Sequence, residues 1–331
     1  MKNSNLKNQY SRRKFLGLSA AAAGLAFIPL DLSAGDQKKA QKPNSKFGGV
    51  QIGAITYSWR SMPSNAEDIL KYCIQTGISS IELMGDVAER YAGLPQGQAR
   101  PGRDASEAER TKFNQSAKET AQTQKNWRLS APMEKYKELR KMFNDAGVNI
   151  HIVKFQPGNL SEEEIDYSFK AAKMLGAKGI TNEIGEEACK KMGPIAEKNK
   201  MYAIFHNHLQ PGEPGFSFDK FLNISPAIML NFDAGHYFGA TGQHPNGIIE
   251  KYHDRIASLH MKDKTGPKGN PPNTNLPWGQ GETPISDMLL LLKKNKWPIN
   301  VDIELEYNVP EGSDSVAEVK KCVEFARKIL A

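Results

Sequence analysis

Four acid or imidazole side chains stand at the ends of short apolar runs. They are Glu183 in Ile180-Thr181-Asn182-Glu183, Asp233 in Asn231-Phe232-Asp233-Ala234-Gly235-His236, His260 in Leu259-His260-Met261-Lys262-Asp263, and Glu304 in Asp302-Ile303-Glu304-Leu305-Glu306. An unpaired charge in such surroundings is costly. Three carboxylates and an imidazole converging on one point would form a cage of hard and borderline ligands for a divalent cation. Singly, each has a structural explanation as a helix cap, an ion-pair partner or a packed histidine. The joint reading rests on four such groups at equivalent points of one repeating architecture. A cation over a carbonyl and its neighbouring hydroxyl would acidify the C–H between them and stabilise the enediolate. Carboxylates on both faces then allow epimerisation, return of the proton to the neighbouring carbon gives isomerisation, and expulsion of a β-leaving group gives a lyase or dehydratase.

Further polar groups fall near the same ends. His206 and His208 alternate onto one strand face, as proton shuttles, sugar hydroxyl ligands or structural residues. Glu306 alternates onto the side of Glu304 and is a second candidate for its role. Lys154 and Lys262 would neutralise an oxyanion or pair with a nearby acid such as Asp263. Tyr57, Trp59 and Trp278 would stack on a sugar ring or simply pack.

These residues need a scaffold that brings strand ends together. Strand patterns fall at 49–57, 80–84, 148–155, 179–183, 202–206, 228–233, 256–261 and 300–304, and helical patterns near 66–76, 132–146, 161–176, 185–199, 217–223, 246–252, 284–295 and 314–330. Eight apolar strands, each followed by a helix, predict a parallel sheet covered on both sides and closed into one α/β (β/α)8 barrel. A doubly wound open sheet would show a Gly-rich first turn, and none follows the first strand. Residues 86–130 form a polar insertion after strand two, and 264–281 a long Pro/Gly/Asn-rich loop. Both belong on the C-terminal face, where a mobile cover or a solvated excursion would lie.

The runs Ile-Thr-Asn-Glu183, His206-Asn207-His208, Asn-Phe-Asp233-Ala-Gly-His236, Arg255-Ile-Ala-Ser-Leu-His260-Met-Lys262-Asp263 and Ile303-Glu304-Leu305-Glu306-Tyr307 together resemble the sugar phosphate isomerase/epimerase family. This is the xylose-isomerase-like TIM barrel superfamily, which also holds apurinic endonucleases, inosose dehydratases and ketose 3-epimerases. The resemblance runs from about residue 48 to the C-terminus. It implies Glu183, Asp233, His260 and Glu304 as ligands of a single ion, commonly Mn²⁺, with Mg²⁺, Co²⁺ or Zn²⁺ as alternatives. It also implies Glu183 and Glu304 as the proton-transfer pair and His236 as a substrate-binding residue. His-Asn-His followed by Glu213 is similar to the inosose-dehydratase-like branch, so a lyase on a keto-glycoside or inosose-like substrate stands beside the isomerase reading.

The chain has 331 residues and a formal net charge of +7, with Lys+Arg 44 against Asp+Glu 37. This composition excludes a disordered, collagen-like or disulfide-framed chain. Much of the charge lies in Ser11-Arg12-Arg13-Lys14-Phe15-Leu16, before the apolar run from Leu18 to Leu30. That order resembles a twin-arginine export signal, with a signal peptide over 1–34, a flexible leader over 35–47 and the barrel over 48–331. Residues 1–34 carry five basic side chains against Asp31, which leaves +3 for the remainder. The expectation is a nearly neutral periplasmic or otherwise exported enzyme acting on a small carbohydrate, without nucleic acid or a lasting membrane anchor. A homo-oligomer is compatible with it. An abasic-site endonuclease and a non-enzymatic sugar-binding barrel are the weaker alternatives. Cys73 and Cys322 fall in helical patterns, and the three cysteines lack metal-site spacing.

Overall fold

The computed structural model describes residues 42–102 and 104–331; the expected signal, residues 1–34, lies outside them. The chain begins with β1 (Lys46–Phe47), β2 (Val50–Ile55), a 3-10 turn (Thr56–Trp59) and α1 (Ala66–Thr76). Next come β3 (Ser80–Met84), α2 (Gly85–Ala92), α3 (Glu107–Leu129), α4 (Met133–Asp145) and β4 (Asn149–Lys154). α5 (Glu162–Leu175), β5 (Gly179–Glu183), α6 (Glu186–Asn199), β6 (Tyr202–His206) and α7 (Phe218–Leu222) follow. The chain continues through β7 (Ile228–Asp233), α8 (Ala234–Thr241), α9 (Asn246–Tyr252), β8 (Ile256–Met261), β9 (Asp263–Lys264) and β10 (Asn275–Leu276). It closes with α10 (Ile285–Asn295), β11 (Asn300–Ile303) and α11 (Ser315–Leu330).

Strands β3 to β8, then β11 and β2, pair in parallel in that order, and β2 pairs back onto β3. The result is the expected closed (β/α)8 barrel. Local chemistry sets its helix ends: Ser161 and Ser106 each form a reciprocal capping box, and Gly77 and Gly176 stop α1 and α5.

Three differences from the sequence expectations have clear causes. The insertion at 86–130 folds into α2 and α3, and α3 carries no buried residue. Its helicity rests on propensity, the Ser106 cap and an anchor at Arg128. Helix α8 starts directly at Ala234, and its Ala-Gly-His-Tyr-Phe-Gly run lacks the polar stripe that marks a surface helix. Finally, Lys46 and Phe47 pair antiparallel with Gln51 and Val50, and the fully buried Ser45 donates its hydroxyl to the Ile52 carbonyl. The folded body therefore begins before residue 48.

Apolar side chains such as Phe143, Phe169, Phe205 and Phe232 fill the layer between strands and helices. Much of the polar network is buried within the barrel. Glu82 Oε1 accepts from Thr181, and Glu82 Oε2 accepts from Asn231 Nδ2 and faces His260 Nε2. Elsewhere in the interior, Asp302 meets His151 and Ser258, while Ser80 meets His151 and Asn300. Barrel interiors are more often packed with branched apolar residues. The three cysteines are buried and unpaired.

Candidate metal and proton-transfer site

The strands deliver their terminal acids to one end of the barrel. Asp233 ends β7 and also caps α8. Its Oδ1 accepts the His236 backbone N–H at 2.7 Å, leaving Oδ2 to face the barrel axis. Glu304 follows β11 and lies beside His260, whose Nδ1 is 2.8 Å from Glu304 Oε2. His206 ends β6, with Nε2 at 3.2 Å from Asp233 Oδ2 and 3.9 Å from Glu304 Oε2. Its other nitrogen, Nδ1, is 3.1 Å from Glu183 Oε2.

One ligand atom from each of His206, Asp233, His260 and Glu304 lies within 4.8 Å of the others. Donors at about 2.0–2.3 Å around one ion would have this spacing, so the residues fit a divalent metal. His260 is prepared for that use: Glu82 faces its Nε2, which directs Nδ1 toward the acids. Glu183, expected among the ligands, falls in an adjoining group with His206 and His208. His206 is common to both groups.

Glu183 is a well-held carboxylate. It accepts from Lys154 Nζ at 3.0 Å and Gln156 Nε2 at 3.1 Å, and His208 Nε2 is 2.8 Å away. Burial raises its pKa, but the bonds from His206 and His208 and the charge of Lys154 outweigh this and hold it well below the carboxylate range. The same pairing pushes the His208 pKa up. Gln156 sits at φ 51, a left-handed conformation unusual for a side-chain-bearing residue, and thereby reaches Glu183. A cleft of about 910 Å³, lined by Gln156, Asn159, Asn182, Glu183 and Lys190 among others, opens beside it.

Lys262 is 2% exposed and lies among three carboxylates, 2.8 Å from Asp233 Oδ2 and 2.7 Å from both Glu304 Oε2 and Glu306 Oε2. It thus pairs with site acids rather than Asp263, which instead accepts backbone N–H groups from Gly279, Gly281 and Thr283. Glu306 is also 3.5 Å from His236 Nε2. Burial lowers the His236 pKa to about 4; Asp233 opposes this, while Lys262 and Lys264 add to it. The ring is neutral near pH 7.

The aromatic candidates lie elsewhere. Trp278 packs edge-on against Phe325 of α11, because the hairpin anchored by Asp263 carries it toward the outer wall. Trp59 is fully buried against Tyr72, and Tyr57 is exposed beneath the Arg60 guanidinium. Two residues that contact this cluster escape the sequence reading. Glu82 left a signal, a charge between Ile81 and Leu83 in a five-residue strand. Gln156 left none, since its role depends on a backbone conformation.

Comparison with known proteins agrees with this fold. The chain is 33% identical over 76 residues to an inosose dehydratase of Clostridium beijerinckii, covering 22% of this chain and 25% of that protein. It is 25% identical over 138 residues to an inosose dehydratase of Bacillus thuringiensis, covering 41% and 45%. The matches therefore span less than half of these relatives. The fold is similar to a sugar phosphate isomerase/epimerase from Parabacteroides distasonis, with TM-score 0.56 and 16% identity over 86% of this chain and 96% of that one. It is also similar to the D-psicose 3-epimerase of Clostridium cellulolyticum, with TM-score 0.57 and 11% identity over 85% and 99%. At these identities the structural likeness concerns the fold. The family described as Xylose isomerase-like TIM barrel matches residues 117–329, and the chain belongs to it.

Proposed function

We propose that this protein is a divalent-metal-dependent enzyme that moves a proton on the carbon beside the carbonyl of a keto-sugar. The supporting observation is the flanking of one imidazole by two acids: His206 reaches Glu183 through Nδ1 and approaches Glu304 through Nε2. Binding alone does not need two such carboxylates around a common centre. A divalent ion, Mn²⁺ in this proposal, would supply Lewis-acid stabilisation of the enediolate. His206, Asp233, His260 and Glu304 would hold it, with Glu183 entering from the adjoining group.

The chain's own residues account for the remaining steps. Glu183 is kept ionised by His206, His208 and Lys154, which suits it to take the proton. Glu304 would serve the opposite face. Lys262 and Lys154 balance the negative charge that the acids and the substrate oxygen would otherwise accumulate. His236, Glu306 and His208 would contact substrate hydroxyls.

Isomerisation or epimerisation is the first outcome of this chemistry. A dehydratase is supported to a similar degree by the inosose dehydratase relatives and by His208, 2.8 Å from Glu183 and so placed to protonate a departing hydroxide. Export through the twin-arginine signal and a carbohydrate substrate outside the cytoplasm complete the proposal. Among the described residues, no helix is long and apolar enough to cross a membrane.

Metal-loaded protein incubated with keto-sugars, inososes and 3-keto-glycosides in D₂O, followed by NMR, tests the reading. Deuterium should enter one C–H in wild type and fail to enter in Glu183→Gln. An epimer or aldose signals the first outcome and a vinylic proton the second. Exchange that survives Glu183→Gln removes Glu183 from the mechanism, and metal-dependent nicking of abasic DNA would replace the reading altogether.

A further inference from the structure

Lys264 lies two residues beyond Lys262 and is 2% exposed, yet its ammonium makes no ion pair or side-chain hydrogen bond among the described residues. Asp233, Glu306 and Glu304 act on it only from beyond ion-pair distance, whereas a buried cation ordinarily has a counter-charge in contact. Lys264 rests against α8 at Gly239. A methyl group at Gly239 would stand 3.0 Å from Lys264 Cε and 2.2 Å from Asn273 Oδ1, so only glycine lets both side chains settle there. One turn earlier on the same helix face is His236, which is 8% exposed. Across the β9–β10 hairpin, Asn275 pairs in register with Lys264.

The buried polar atoms in this strip lack partners. Both ring nitrogens of His236, Asn273 Oδ1 and Asn275 Oδ1 are buried without a hydrogen bond, although His236 Nε2 faces Glu306 at 3.5 Å and Asp233 at 3.8 Å. A buried polar atom left unmatched is destabilising. Together they offer a cation, an imidazole donor and two amide oxygens beside the proton-transfer site. The first pair matches a carboxylate, and the amide oxygens match hydroxyl donors next to it. A phosphate fits less well. The first amides of α8 are capped by Asp233, and a second negative charge would add to the repulsion that any anion meets from Asp233, Glu304 and Glu306. Burial, and then the charge of Lys262, lowers the Lys264 pKa although Asp233, Glu306 and Glu304 raise it, and a ligand anion would act in the same direction as these acids.

Resting on the proton-transfer reading above, we propose that Lys264 and His236 form a carboxylate subsite, with Asn273 and Asn275 receiving adjacent hydroxyls. The substrate is then a polyhydroxylated keto acid rather than a neutral sugar. Lys264 would be the residue that sets this preference.

Calorimetry on metal-loaded protein tests this with two matched pairs, 2-keto-D-gluconate against D-fructose and 5-keto-D-gluconate against L-sorbose. At least one acid should bind roughly tenfold more tightly than its neutral partner. Lys264→Met should abolish the preference while keeping the metal content and the neutral sugar's affinity. Gly239→Ala, which crowds the strip from the helix side, should weaken the acid in the same way and covers the case of a misfolded Lys264→Met. The subsite is overturned when no acid outbinds its partner, or when the preference survives both substitutions. Equal binding with Glu183-dependent deuterium exchange intact removes the subsite alone. Absence of exchange with every compound removes the proton-transfer reading on which it rests.

Discussion

His260 Nε2 lies 2.6 Å from Glu82 Oε2, and both side chains are fully buried. With Glu82 ionised, Nε2 carries a proton and Nδ1 is turned toward Glu304 and Asp233. Thr181 and Asn231 hold the same carboxylate in place. Glu82→Gln keeps the shape and removes the charge that fixes the tautomer. It should lower Mn²⁺ affinity about 10–100-fold, measured by equilibrium dialysis, with an unchanged circular dichroism spectrum. Undiminished affinity would show that Glu82 does not orient His260.

Lys262 separates Asp233, Glu304 and Glu306, which otherwise face one another in a buried space. Removing one partner of such a cluster costs about 3–5 kcal/mol. Lys262→Met should therefore unfold at lower urea in metal-free buffer. A divalent ion would replace part of the missing charge, so Mn²⁺ should stabilise Lys262→Met more than wild type. Equal stabilisation of the two proteins contradicts this account of Lys262.

The insertion after β3 is tied down by charge. Arg128 at the end of α3 reaches Glu89 at 2.8 Å and Glu164 at 3.1 Å, with both acids nearly buried. Burial raises the Glu164 pKa, but the Ser161 N–H and Arg128 outweigh it and keep it below its ordinary value. A carboxyl with a depressed folded pKa adds stability that is complete above its unfolded pKa, near 4.3, and is lost as pH falls through the folded value. Arg128→Met should cost about 3–5 kcal/mol at pH 7. The gap between the two proteins should narrow below about pH 4, as the freed Glu164 protonates. Denaturant titrations at pH 7 and pH 3.5 decide the matter, and a gap independent of pH would assign Arg128 a packing role.

The barrel was legible because its eight strands are short apolar runs, each followed by a helical period. Asp233, His260 and Glu304 were legible for the same reason: they interrupt apolar sequence at equivalent points, and the structure brings them together. His206 was visible as a polar strand end, but its position between Glu183 and Asp233 follows from the barrel's curvature, which spacing does not encode. Glu82 stands as a lone charge between Ile81 and Leu83, and its meaning appears only when His260 arrives from 178 residues away. Lys264 and Asn273 meet only because Gly239 leaves room, a three-residue coincidence across two elements. Trp278 illustrates the converse error, since a loop on the correct face turned its ring toward α11.

Gly281 controls the hairpin that carries Lys264. Asp263 accepts N–H groups from Gly279 at 2.8 Å, Gly281 at 2.9 Å and Thr283 at 3.1 Å, closing the loop onto the end of β8. A methyl group at Gly281 would lie 2.2 Å from Asp263 Oδ1 and 2.8 Å from the Lys264 backbone nitrogen. Neither atom sits at the end of a long flexible chain, so the hairpin itself would have to move. Gly281→Ala should cost about 1–3 kcal/mol and expose amides confined to residues 263–283 to faster hydrogen exchange. The barrel strands, held by their own parallel ladders, should keep wild-type protection. Metal affinity should also persist, because the proposed ligand groups stand on β6, β7, β8 and the end of β11 rather than on the hairpin. Unchanged exchange across 263–283 would mean that Asp263 is not the anchor. Faster exchange throughout the barrel would mean that the hairpin and barrel unfold as one unit.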